Sequence, residues 1–162
     1  MKIKNLVLIF VAFFFEYLRD YCFININFYI EFLKNLKNGL DVYNYTDSLI
    51  FNVLESIKIN SLIQIKWGMS FFFVLIFMVL GTLFSKWNFS NQNHKRFLKL
   101  YIFSGVKILI LSFVIYILGK LLNIENEYNF YYISLDLSHF IQSSLYPITF
   151  ILIFWSFRRP KV

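Results

Sequence analysis

Apolar positions along this chain gather into long blocks instead of alternating, and polar residues collect between the blocks. A bilayer core about 30 Å thick needs roughly 20 apolar helical residues to cross it. Four blocks approach that length, which predicts spans at about 5–20, 64–85, 100–119 and 137–157 with an outer loop of about 21–63.

The first block starts behind Lys2 and Lys4 with the run from Leu6 to Phe15. A basic start and a short apolar run imitate a signal peptide, but Glu16, Arg19 and Asp20 stand where a cleavage site needs small residues. An uncleaved signal anchor is expected. The second block runs from Trp67 to Phe84, with Lys66 before it and Lys86-Trp87 after it, the basic and aromatic anchors of a membrane interface. Ser61 and Gln64 have capping-box spacing, which allows this helix to begin earlier. The third block contains Lys107 and closes at Lys120. The fourth contains Pro147, whose missing N–H predicts a kink.

Within the outer loop, Phe28 to Leu36 extends the first helix and Asn38-Gly39 marks a turn. Leu49, Ile50, Val53, Leu54 and Ile57 then recur at helical spacing opposite Ser48, Asn52, Glu55 and Ser56. This is an amphipathic helix that Thr46 or Asp47 can cap. Its apolar face is expected on the outer membrane surface or on the tops of neighbouring spans. The predicted fold is all-α: one membrane domain over residues 1–162, with four transmembrane helices and one amphipathic outer-surface helix.

Composition sharpens the class. The chain is 59% apolar and only 15% charged, against about 25% charged in an ordinary soluble domain. Disorder, collagen, repeat arrays and disulfide scaffolds are excluded. Cys22 is the single cysteine and no Cys/His spacing points to zinc, so no metal is expected. No cofactor is expected either, since Gly-rich phosphate-binding motifs are absent.

The net charge of +7 is unevenly distributed. Lys2, Lys4, Lys86, Lys95, Arg96, Lys99, Arg158, Arg159 and Lys161 fall on one side of the predicted topology, and Lys34, Lys37, Lys58, Lys66 and Lys120 on the other. That bias sets both termini in the cytoplasm. A bacterial cytoplasmic membrane is the simplest location. The charge then serves topology and attraction to the lipid bilayer; nucleic acid is not an expected partner, because the basic residues lie in three short pieces flanking spans.

Polar groups inside or beside the apolar blocks are the candidates for chemistry. An ionised side chain at mid-bilayer costs about 2.5 to 3.5 kcal/mol on insertion scales. The intramembrane charge Lys107 can reach back along its own stem to the headgroups, or pair with Glu16 in a proton or ion path. Glu16, Arg19 and Asp20 occupy about one helical turn, with Glu16 and Arg19 at i,i+3. Asp136 and His139 share a helix face at the start of the fourth span and, by topology, the same outer level. These five form a candidate outer polar cluster, which Cys22 would convert into a thiol site. His94 lies beside Lys95-Arg96 and is expected to be solvated. Gly105, Ser112 and Gly119 repeat every seven residues, and Gly81 and Ser85 are four apart. Such stripes permit close approach, so antiparallel packing of the second and third spans is expected.

The function expected from these features is non-enzymatic: an accessory or assembly subunit of a larger membrane complex, whose partner is another membrane protein or a second copy. A small transporter or channel lined by Glu16, Lys107, Asp136 and His139 is one alternative. A membrane-embedded enzyme using the outer polar site is the other.

Overall fold

The computed structural model describes residues 3–40, 43–122 and 127–157, and among these residues helix is the only regular secondary structure. In chain order they form α1 (Ile3–Lys37), α2 (Ser48–Leu54), α3 (Ile59–Asn88), α4 (Asn91–Leu122), α5 (Glu127–Ile141) and α6 (Leu145–Ser156). Lys2, Arg158, Arg159 and Lys161 lie outside the described residues.

The first predicted span and its extension form one unbroken helix of 35 residues, about 52 Å long at 1.5 Å per residue. It ends where the turn signal stands. Gly39 takes φ 72°, and the N–H groups of Asn38, Gly39 and Leu40 return to carbonyls of Lys34, Asn35 and Leu36. That left-handed cap suits glycine, and Lys34 and Lys37 in the last turn suit the negative end of the helix dipole.

The amphipathic helix is shorter than its pattern. Asp47 caps it by accepting from the Leu49 N–H at 2.9 Å. Its buried side is Leu54 with partly buried Ile50, Phe51 and Ile57, whereas Leu49 and Val53 remain 74% and 66% exposed. The face that packs is thus rotated toward Phe51, and it covers α1 and α3. α3 begins at Ile59, with Lys58 accepting from the Leu62 N–H. Ser61 lies inside the first turn, so the expected capping box does not start this helix.

Among the described residues two helices, α3 and α4, are long and apolar enough to cross a membrane, or three with α5 and α6 counted as one bent element. Exactly that count falls short of four because α1, though longer, carries Glu16, Arg19 and Asp20 directly after its apolar run. The α5–α6 pair bends by 70° between Ile141 and Leu145. Pro147 sits in the first turn of α6, where its missing N–H leaves the Ser143 carbonyl without its i+4 donor. The Tyr146 N–H reaches that carbonyl at 3.3 Å instead.

The chain divides into two compact units, one of Met1–Ala12 with Val74–Val162 and one of Phe13–Phe73. The Phe13–Phe73 unit has a core of Ile26, Tyr29, Ile30, Leu54 and Leu62. The larger unit is built on aromatic rings: Phe89, Phe97, Tyr101 and Tyr146 are buried together with Val74 and Ile141. Tyr101 and Tyr146 stack at 4.7 Å, and Phe97 stacks on Tyr101 at 5.1 Å.

Candidate functional site

The polar side chains that the sequence singles out are divided between the two units. In the Phe13–Phe73 unit, Arg19 lies between two carboxylates, at 3.0 Å from Glu16 and 2.7 Å from Asp20. The i,i+3 pair expected from spacing is present, and Asp20 joins it. Arg19 and Glu16 are only 13% and 24% exposed, whereas Asp20 is 54% exposed. The group has one cation and two anions, and its open edge is the aspartate. Cys22, one turn further on, is half-buried and carries a free thiol.

Asp136 and His139 belong to the other unit, both exposed on α5. Lys107 is exposed on α4, and its ammonium folds back over the Phe103 ring, 4.5 Å from the centroid. Phe103 lies one turn toward the N-terminal end of α4, so the stem runs in the direction expected of a snorkelling lysine.

The small residues make room for aromatic rings. A Cβ on Gly81 would lie 2.6 Å from the Tyr101 ring, and one on Gly105 would lie 2.6 Å from Met78 and 2.7 Å from the Tyr146 hydroxyl. Because Gly81 has no side chain, the Tyr101 hydroxyl reaches the Phe77 carbonyl at 2.7 Å. The Tyr146 hydroxyl donates in turn to the Tyr101 carbonyl. α3 and α4 therefore meet through an inserted ring. The closest backbone pairing is instead α4 with α5, where buried Ser112 donates to the Ser134 carbonyl at 2.8 Å. Gly119 is buried further along α4.

Sequence spacing missed several polar contacts. Ser85 is fully buried, donates to the Thr82 carbonyl at 2.9 Å and meets His94 Nδ1 at 2.8 Å. A hydroxyl has one proton; if Thr82 receives it, His94 must present N–H at Nδ1. His94 is thus a half-buried residue of the first turn of α4, held against α3, and not a solvated loop residue. Asn5 and Asn88 exchange amide hydrogen bonds at 2.9 and 3.0 Å, with Lys4 5.8 Å from the Trp87 ring centre. In the other unit, Lys66 donates to Asn27 at 2.7 Å, and buried Asn25 accepts from the Asp47 N–H at 2.7 Å while donating to the Tyr21 carbonyl. Burial first, and then the Glu55 carboxylate, push the Tyr29 phenol above its ordinary range, so it stays a neutral donor. The only available signal for the Asn5, Asn25 and Asn27 contacts was an asparagine inside an apolar helix, and that does not identify a partner.

Among the described residues, no three His, Cys, Asp or Glu side chains are grouped to hold a metal ion. Chemically, Arg19 engages both carboxylates of the ionic group on α1, and the Ser85–His94 pair has its hydroxyl buried. No protein-family model, curated protein or solved structure matches the chain.

Proposed function

We propose that this chain is a small integral membrane protein with four crossings and both termini in the cytoplasm, acting as a non-enzymatic accessory or assembly subunit of a larger membrane complex. The observation that carries the reading is the bare aromatic face of α1. Phe10, Phe13, Phe14 and Tyr17 recur at i, i+3, i+4 and i+7 and are 60% to 70% exposed. Rings at that spacing present one continuous surface to lipid or to a partner helix. Most of the polar side chains described above are already engaged within the chain, which favours a packing role over catalysis.

Support for α1 as a crossing comes from its bonds to α3. Asn5 pairs with Asn88 near the end of α3, and Asn27 pairs with Lys66 near its beginning. From Asn5 to Asn27 the helix rises about 33 Å, close to the thickness of a hydrocarbon core. On this reading the Arg19 ion group lies inside the outer leaflet. Pairing with both carboxylates lowers the cost of placing charge there.

The test is the native mass of the tagged full chain in a mild detergent, with co-purifying chains identified. A stoichiometric larger partner is expected, and Phe13→Ala with Phe14→Ala should weaken its retention. A lone or homo-oligomeric species would remove the accessory reading.

A second reading, transport, draws on the α5–α6 break. Irregular backbone at membrane depth is tolerated where it is buried in protein or lines a cavity, and the break carries buried Gln142 and Ser143. Ion or solute flux by the purified protein in liposomes would favour this reading.

A further inference from the structure

The outward flank of α4 has a shape that the assembly role does not use. At 100° per residue, Arg96, Lys99, Phe103, Lys107, Ile110 and Val114 all fall within about 40° of the line through Phe103. All six are exposed. Two cations, Arg96 and Lys99, occupy the end nearest the α3–α4 turn, Lys107 follows beyond Phe103 at mid-helix, and apolar side chains continue after it. No acidic residue occurs between Glu55 and Glu125, so nothing on α3 or α4 neutralises those cations. Lys107 does not point along the helix toward the apolar end; its ammonium lies over Phe103, 4.5 Å from the ring centroid, on the side of Lys99.

We infer that this flank of α4 binds one anionic phospholipid, with its phosphate at Arg96 and Lys99, its glycerol region beside Lys107 and an acyl chain along Ile110 and Val114. Each part of the face matches a part of that molecule. Guanidinium presents a planar fork to phosphate oxygens. An ammonium held over a ring keeps its charge while its stem stays in the apolar layer. From Arg96 to Val114 the helix rises about 27 Å, longer than one leaflet's hydrocarbon depth of about 15 Å, so headgroup and chain both fit on one flank. The inference rests on the membrane reading above and adds the class of ligand and its location.

The experiment uses the full chain, purified in detergent and stripped of lipid, with bound lipid counted by native mass spectrometry during titration with phosphatidylglycerol or phosphatidylcholine. Phosphatidylglycerol is expected to bind preferentially. At roughly fivefold per cation near a membrane surface, Arg96→Gln with Lys99→Gln should weaken it about thirtyfold. Lys107→Gln should weaken it about fivefold, and Lys99→Arg, which keeps the charge, should retain it. Lys34→Gln with Lys37→Gln removes equal charge from the end of α1 and should change nothing. Equal binding of the two lipids, an equal loss in the α1 control, or displacement by millimolar inorganic phosphate alone would overturn the inference. Alkaline carbonate extraction of membranes separates the two levels. A chain released by carbonate refutes the membrane reading and this site together; a chain that stays embedded without lipid preference refutes the site alone.

Discussion

At the scale of single residues, glycine substitutions in α3 should have opposite signs. A Cβ at Gly81 meets the Tyr101 ring at 2.6 Å, and that ring is fully buried and tied to the Phe77 carbonyl. Gly81→Ala should therefore cost about 1 to 3 kcal/mol, the usual range for overpacking. Nothing lies within 4 Å of a Cβ at Gly68, and alanine there should gain roughly 0.5 to 1 kcal/mol by restricting the unfolded chain and favouring helix. Thermal unfolding of both variants in one detergent decides the matter; destabilisation of equal size at the two sites would show that the ring notch is unimportant. Spacing made Gly81, Ser85, Gly105 and Ser112 legible as places of close approach. It did not reveal what approaches, because the ring that fills the Gly81 notch lies 20 positions away and only the fold brings it there. The Ser85–His94 contact was illegible for a related reason. A histidine beside two basic residues reads as solvated until the turn geometry directs it inward.

At the scale of elements, the helices themselves were legible because length and apolar content dominate their formation, whereas their ends and bends depend on local competition. The α5–α6 break illustrates this. Pro147 predicts a disturbance, but a straight continuation would also withdraw Tyr146 from its stack on Tyr101 and Phe150 from the same ring, 5.7 Å away. Removing a buried aromatic side chain costs about 3 to 5 kcal/mol, and an interior proline penalises a helix by about 3 kcal/mol. The packing term is at least as large, so Pro147→Ala alone should leave the bend in place. Pro147→Ala with Tyr146→Ala should let it relax. Spin labels at Ile133 and Leu152 in a Cys22→Ser background report the difference, since straightening lengthens their separation; a longer distance in the single variant would assign the bend to proline. The cap of α2 makes a smaller prediction. Asp47→Ala removes the acceptor for the Leu49 N–H and should cost about 1 kcal/mol, seen as faster amide hydrogen exchange confined to α2.

At the scale of the whole molecule, the open quantity is the number of crossings, and it turns on α1. Its composition gives a divided answer: the run from Leu6 to Phe15 is apolar enough for lipid, and Glu16, Arg19 and Asp20 interrupt it. Composition treats those charges as three separate costs. In the folded chain Arg19 lies 3.0 Å from Glu16 and 2.7 Å from Asp20, so the group carries a net charge of one instead of three isolated ions, and its penalty in a low-dielectric layer falls accordingly. Cysteine labelling then separates the topologies. With Cys22 changed to Ser, single cysteines are introduced at Ile3, Leu40 and Asn91, all exposed and at the start of α1, just past its end and at the start of α4. A membrane-impermeant maleimide applied to intact cells should modify Leu40→Cys at once, and Ile3→Cys and Asn91→Cys only after permeabilisation. Should Ile3→Cys and Leu40→Cys react together, α1 does not cross, and the aromatic face of Phe13, Phe14 and Tyr17 would have to lie along the surface. Arg19→Leu discriminates further. It removes the cation that both carboxylates share, so if α1 crosses, the Ile3 and Leu40 positions should lose their distinction or the protein should fail to accumulate; a surface helix would tolerate the change.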